Sequence, residues 1–148
     1  MIGLATLASA ALVGCGSKGP ETVPTACAGS AGEYLKALRA APSAVRLGGG
    51  EPISGCFTGD ESADIGQAMI RTATLLNADA REDPGGPATV RLGYLAGAVH
   101  EGTAHLPSEA DLVRRVDTAA RYNPHGGSLG AAFERAFGKG YAAGEATG

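Results

Sequence analysis

The sequence predicts an all-α protein, a small bundle of about five helices joined by one irregular, disulfide-linked crossover. Three observations lead there. Apolar residues recur with a period near 3.6 in five separate stretches. Gly- and Pro-rich pieces such as Gly48-Gly49-Gly50 and Asp83-Pro84-Gly85-Gly86-Pro87 separate those stretches and read as turns. Outside residues 43–57, no segment shows the alternation of apolar and polar residues that a half-buried strand requires.

The first helix is expected to start at Ser30, with Glu33 three residues on. That spacing is a capping box, in which each side chain satisfies a backbone N–H that the helix start leaves unpaired. Tyr34, Leu35 and Leu38 follow as an apolar stripe, and Pro42 ends it. Residues 43–57 fit no helix, and Val45, Leu47, Ile53 and Phe57 are expected to lie extended across the bundle. The second helix is expected over 62–80, where Ile65, Ala68, Met69, Thr72 and Leu76 keep the helical period. Asp60, Glu61 and Asp64 sit where the helix dipole favours negative charge.

The third helix is expected to follow Pro87, with Val90, Leu92, Leu95 and Val99. Gly93 and Gly97 each cost it roughly 1 kcal/mol of helix propensity. Their four-residue spacing predicts a close crossing with another helix. The fourth is expected to start at Ser108, with Asp111 three residues later and Leu112, Val113, Val116 and Ala120 on its inner face. Asn123-Pro124-His125-Gly126-Gly127 stops it. The fifth is expected from near Ser128, with Leu129, Phe133, Phe137 and Tyr141 one turn apart.

A length of 148 residues fits one domain. The net charge of -3 lacks the basic footprint of a nucleic-acid binder, so no nucleic-acid partner is expected. Lys is scarce beside Arg, and Ala and Gly are abundant, which reads as the codon bias of a GC-rich genome. With no Trp and 5% aromatic residues, the core rests on Ala, Leu and Val. At about 25 cal/mol per Å² of apolar surface, such a core gains from extra staples.

Residues 2–14 form an apolar, uncharged run. It is shorter than the about 20 residues a membrane-spanning helix needs, and it suits the apolar region of a signal peptide. Only the α-amino group of Met1 supplies positive charge ahead of it. The run ends in Leu12-Val13-Gly14-Cys15. This pattern resembles the lipobox of bacterial lipoproteins, and the Arg-over-Lys composition looks actinobacterial in type. The resemblance covers the first fifteen residues and reaches no family of known function in the rest of the chain. It implies cleavage before Cys15, a thioether-linked diacylglycerol on its sulfur and a fatty acyl group such as palmitate on its new amino terminus. Two or more acyl chains anchor stably where one does so only marginally. The competing reading is a buried core helix over 1–14 with Cys15 an ordinary thiol.

The expected organisation is therefore a signal peptide over 1–14, a lipidated N-terminus and flexible tether over 15–26, a helical domain over 27–144 and a disordered tail over 145–148. Lipidation of Cys15 would leave Cys27 and Cys56 as an even pair in an exported chain, and a disulfide is the expected state. The rivals are two free thiols or a redox pair. The chain has no Cys-x-x-Cys to support the latter.

Chemistry is harder to find. His100-Glu101-Gly102-Thr103-Ala104-His105 resembles the zinc motif H-E-x-x-H with one residue too many. Five residues turn the second imidazole about 140° around a helix axis. Gly102 is expected to end the helix between them, leaving two solvated histidines. His125 falls in a Pro/Gly turn. Ser108 and Ser128 are expected as N-caps, and neither sits in a Gly-x-Ser-x-Gly elbow. Gly48–Gly50 lacks the Lys-Ser/Thr of a phosphate loop, and Asp60, Glu61 and Asp64 do not keep calcium-loop spacing. Tyr34, Tyr94, Tyr122, Phe133, Phe137 and Tyr141 either line a groove or, at helical spacing, form core. Arg114, Arg115 and Arg121 read as a solvated helix face, with lipid headgroups or cell-wall anions as conceivable contacts.

No catalytic residue, metal ligand or cofactor is assigned. The expected function is a non-enzymatic binding or interaction domain, lipid-anchored at Cys15 to the extracytoplasmic face of the cell membrane, with an envelope protein, polymer or small ligand as partner. The alternatives are a small envelope hydrolase built from scattered residues such as His100, Glu101 and His125, and a purely structural spacer.

Overall fold

The first turn of the first helix forms as its capping box dictates. In a computed structural model, which describes residues 22–59 and 63–148, the Ser30 N–H donates to Glu33 Oε2 at 2.7 Å and the Glu33 N–H donates to Ser30 Oγ at 3.4 Å. Helix α1 spans Ala31–Ala37 and tightens into a 3-10 turn over Leu38–Ala40 before Pro42. Helices α2 (Ala63–Glu82), α3 (Pro87–Thr103), α4 (Ala110–Ala120) and α5 (Ala131–Thr147) complete an all-α bundle. No strand occurs among the described residues. The signal segment, Cys15 and most of the tether lie outside the described residues, as do Asp60 and Glu61.

Helix α3 is the centre of the fold. Every residue from Leu92 to Val99 is buried, so this helix shows no single apolar stripe. Gly93 and Gly97 make the predicted crossing, and their partner is α5. A Cβ on Gly93 would collide with the carbonyl of Phe137, and one on Gly97 with the carbonyl of Tyr141. Reciprocally, a Cβ on Gly140 would collide with the carbonyl of Val90, and one on Gly144 with that of Tyr94. Residue numbers rise together on both sides, so α3 and α5 run parallel. Four glycines let the two backbones touch, the device that small residues four apart provide in closely packed helix pairs.

Helix α2 and helix α4 also run parallel, since Gly66 faces Leu112 while Asn77 Nδ2 donates to the Ala120 carbonyl at 2.8 Å. Asn77 is buried, and this bond satisfies it. Helix α4 is fastened to α5 by Arg121, which pairs with Glu134 at 3.1 Å and lies 4.4 Å above the Phe137 ring.

The crossover buries Val45, Leu47, Ile53 and Phe57, but Ile53 is not extended: it opens a 3-10 turn over Ile53–Cys56. Gly49 and Gly50 turn it with φ of 82° and 90°, values open to glycine at little cost. Cys27 and Cys56 form the disulfide, both fully buried. The buried Tyr34 hydroxyl donates to the Cys27 carbonyl at 2.9 Å, and burial pushes its pKa up to about 12.

Four further expectations are corrected. Residues 145–148 are not a disordered tail, because α5 runs to Thr147 and Gly148 is buried. The crossover holds this end: the Val45 N–H donates to Tyr94 Oη, which bonds Thr147 Oγ1, both at 2.9 Å, and Ser54 Oγ donates to the Gly148 carbonyl. Ser108 is not an N-cap. Pro107 fixes a 3-10 turn over Pro107–Glu109, so Ser108 is already inside a helical turn when α4 begins. Ser128 caps no helix either; its Oγ accepts from the Gly130 N–H at 3.1 Å, one turn before α5. Gly102 does not end α3, which continues to Thr103.

Candidate functional site

Clefts with polar side chains open on both flanks of α4. One flank faces the end of α3. There His100 Nε2 lies 3.0 Å from Asp117 Oδ2, and both side chains are about one-third exposed (33% and 38%). The His100 ring also meets the Tyr141 ring edge-on, with centroids 5.4 Å apart. Burial raises the Tyr141 pKa, and the neighbouring Glu145 and Asp117 carboxylates raise it further. The pair borders an open cleft with Thr103, Leu106, Val113 and Arg114.

This arrangement orients an imidazole without placing a nucleophile beside it. The Thr103 hydroxyl donates to the Val99 carbonyl and the Thr118 hydroxyl to that of Arg114, both at 2.7 Å. Among the described residues neither Ser nor Cys lines the cleft. What the cleft offers is one hydrogen-bonded polar pair, an apolar wall and the Arg114 guanidinium, a set suited to holding a polar ligand.

The other residues singled out in the sequence are not brought to this place. His125 borders a different cleft with Arg81, Glu82, Ser128 and Phe133. Its backbone N–H bonds Asn123 Oδ1 at 3.0 Å within the Asn123–Gly127 turn. Glu101 and His105 are exposed and border neither cleft. Asp64 is exposed in the first turn of α2. Among the described residues no three His, Cys, Asp or Glu side chains stand close enough to hold a metal ion. Tyr34, Tyr94, Phe133 and Phe137 are buried core, Tyr141 is half-buried, and Tyr122 alone of the six aromatics stands out at 57% exposure. The residue that sequence reasoning passed over is Asp117. It lies seventeen positions from His100, and its only signal was an acid flanking the α4 apolar stripe.

The second flank of α4 faces α2. Ile70, Ala78 and Ala119 line a trough there, with Tyr122 at its edge, and Arg81, Arg114 and Arg115 border it. No helix among the described residues is long and apolar enough to cross a membrane. Neither a protein-family model, nor a curated protein, nor a solved structure matches this chain.

Proposed function

We propose that this chain is a cell-envelope lipoprotein, anchored through acylated Cys15, whose helical body is a non-enzymatic binding domain held on a short tether. The observation that carries the reading is the use of the cysteines. Cys27 and Cys56 are paired and buried. That leaves one further cysteine in the chain, and it stands at the end of Leu12-Val13-Gly14-Cys15. A stable disulfide belongs to an oxidising compartment, and the sequence before Cys15 has the form of an export signal. The clefts beside α4 support binding over chemistry, because their threonine hydroxyls are committed to their own helices.

Metabolic labelling with an alkyne-bearing fatty acid tests the anchor. Wild-type protein is expected to take up the label and to partition with membranes. The Cys15→Ser protein is expected to lose both properties. Retention of the label by Cys15→Ser overturns the reading.

A further inference from the structure

We infer that the trough between α2 and α4 binds an amphiphilic anion: a small molecule with one carboxylate or phosphate head and an apolar body. The trough offers about 380 Å³, within the range of small-molecule sites. Its floor is apolar, and Tyr122, one of two large apolar side chains left exposed among the described residues, stands at its edge.

The polar groups around it specify the head. The Thr74 hydroxyl donates to the Ile70 carbonyl at 2.9 Å, and the Thr118 hydroxyl to that of Arg114 at 2.7 Å. Asn77 Nδ2 donates to the Ala120 carbonyl, and Asn77 Oδ1 accepts from Arg81 Nε at 3.1 Å. The threonine hydroxyls and the Asn77 amide are therefore engaged within the fold, and the guanidiniums are the charged donors that remain. Arg81 has no carboxylate within ion-pair distance among the described residues. Arg114 pairs with Asp111, and Arg115 approaches the same carboxylate only to 3.9 Å. Among the described residues Asp111 is the one carboxylate near Arg114 and Arg115, Arg81 is paired with none, and no described acid borders the trough. Asn77 holds Arg81 by its Nε, which leaves the Nη groups for a bidentate grip on an oxyanion. An uncharged amphiphile would gain the floor but leave this cluster uncompensated.

The inference rests on reading the body as a binding domain, and its test does not depend on the anchor. The full chain carrying Cys15→Ser, with Cys27–Cys56 oxidised, is titrated by calorimetry with monomeric decyl phosphate. Decanol, inorganic phosphate, an acidic peptide and phosphatidylglycerol vesicles serve as separate probes. Decyl phosphate is expected to bind at one site, at least about tenfold more tightly than decanol or phosphate, since a charge-assisted contact is worth roughly a factor of ten or more. Arg115→Gln and Tyr122→Ser alter exposed side chains, and each is expected to weaken it about five- to tenfold with the melting curve unchanged; Arg81→Gln is expected to weaken it as much, with a lower melting temperature because buried Asn77 Oδ1 loses its donor. Arg135→Gln, exposed on α5 outside the trough, changes net charge equally and is expected to leave binding as it was. Equal affinity for decanol, indifference to the Arg81 and Arg115 variants, or an equal loss with Arg135→Gln overturns the proposal. So does tighter binding of the acidic peptide, or binding of vesicles without binding of monomeric decyl phosphate. Loss of acyl label at Cys15 would leave these titrations untouched, and their failure would leave the labelling result standing.

Discussion

The backbone of Gly93 lies directly against that of Phe137, so that a Cβ at Gly93 would come 2.9 Å from the Phe137 carbonyl carbon and nearer still to its oxygen. What it meets is backbone, which cannot swing aside as a flexible side chain could. The same holds at Gly97, Gly140 and Gly144. Four glycines that weaken two helices in isolation are therefore what lets those helices pack in parallel, with Phe133 and Phe137 buried beside them.

Gly97→Ala and Gly144→Ala are accordingly expected to destabilise the protein. The gain in helix propensity is about 1 kcal/mol, and forced separation of a packed pair costs about 1–3 kcal/mol or more. Gly138 is the control. It lies in the same α5, is exposed, and a Cβ there meets nothing within 4 Å. Gly138→Ala is expected to stabilise by roughly 0.5–1 kcal/mol. Urea denaturation of the three variants gives opposite signs if the glycine contact is the cause.

Reduction of Cys27–Cys56, or the double substitution to Ala, is expected to cost ~3–4 kcal/mol, the loop-closure value for a separation of 29 residues. The cost falls on a body with few large side chains in its core. The midpoint of urea unfolding, followed by circular dichroism with and without reductant, checks it. The expected result is a clear fall in midpoint. An unchanged midpoint would show that packing around Tyr34 alone holds α1 and the crossover together.

The capping box has a pH signature. The hydrogen bond from the Ser30 backbone, and then that from its hydroxyl, hold the Glu33 carboxyl below the ordinary carboxylate range. A depressed folded-state pKa means that the contribution is present above the unfolded value of 4.5 and is lost as pH falls through the lower folded value. Glu33→Gln is therefore expected to melt below wild type at pH 7, with the gap closing as the pH drops beneath the unfolded value. Ser30→Ala removes the reciprocal partner and is expected to cost about 1 kcal/mol. Melting temperatures across pH 2.5–7 measure both.

Local signals in the sequence were sufficient where one segment carries both partners. Ser30 and Glu33 are three residues apart, and their box forms. Ile65, Met69 and Leu76 share one face of α2, and they are core. Val45, Leu47, Ile53 and Phe57 are apolar in a segment without helical period, and they cross the bundle buried. The Cys27–Cys56 pair followed from counting. Tertiary placement decided what no single segment contains. Gly93 and Gly97 announced a crossing, but Gly140 and Gly144 were hidden behind the stronger period of Phe133, Phe137 and Tyr141, and only the parallel register matches the four. Residues 145–148, expected as a disordered tail, are ordered by Val45, Tyr94 and Ser54 from elsewhere in the chain. Arg81 reaches the trough from α2, while Arg114 and Arg115 reach it from α4. Periodicity records which face of a helix is buried. The neighbour that buries it, and the charges brought together across the seam, arise only when separate helices are packed at one distance and in one register.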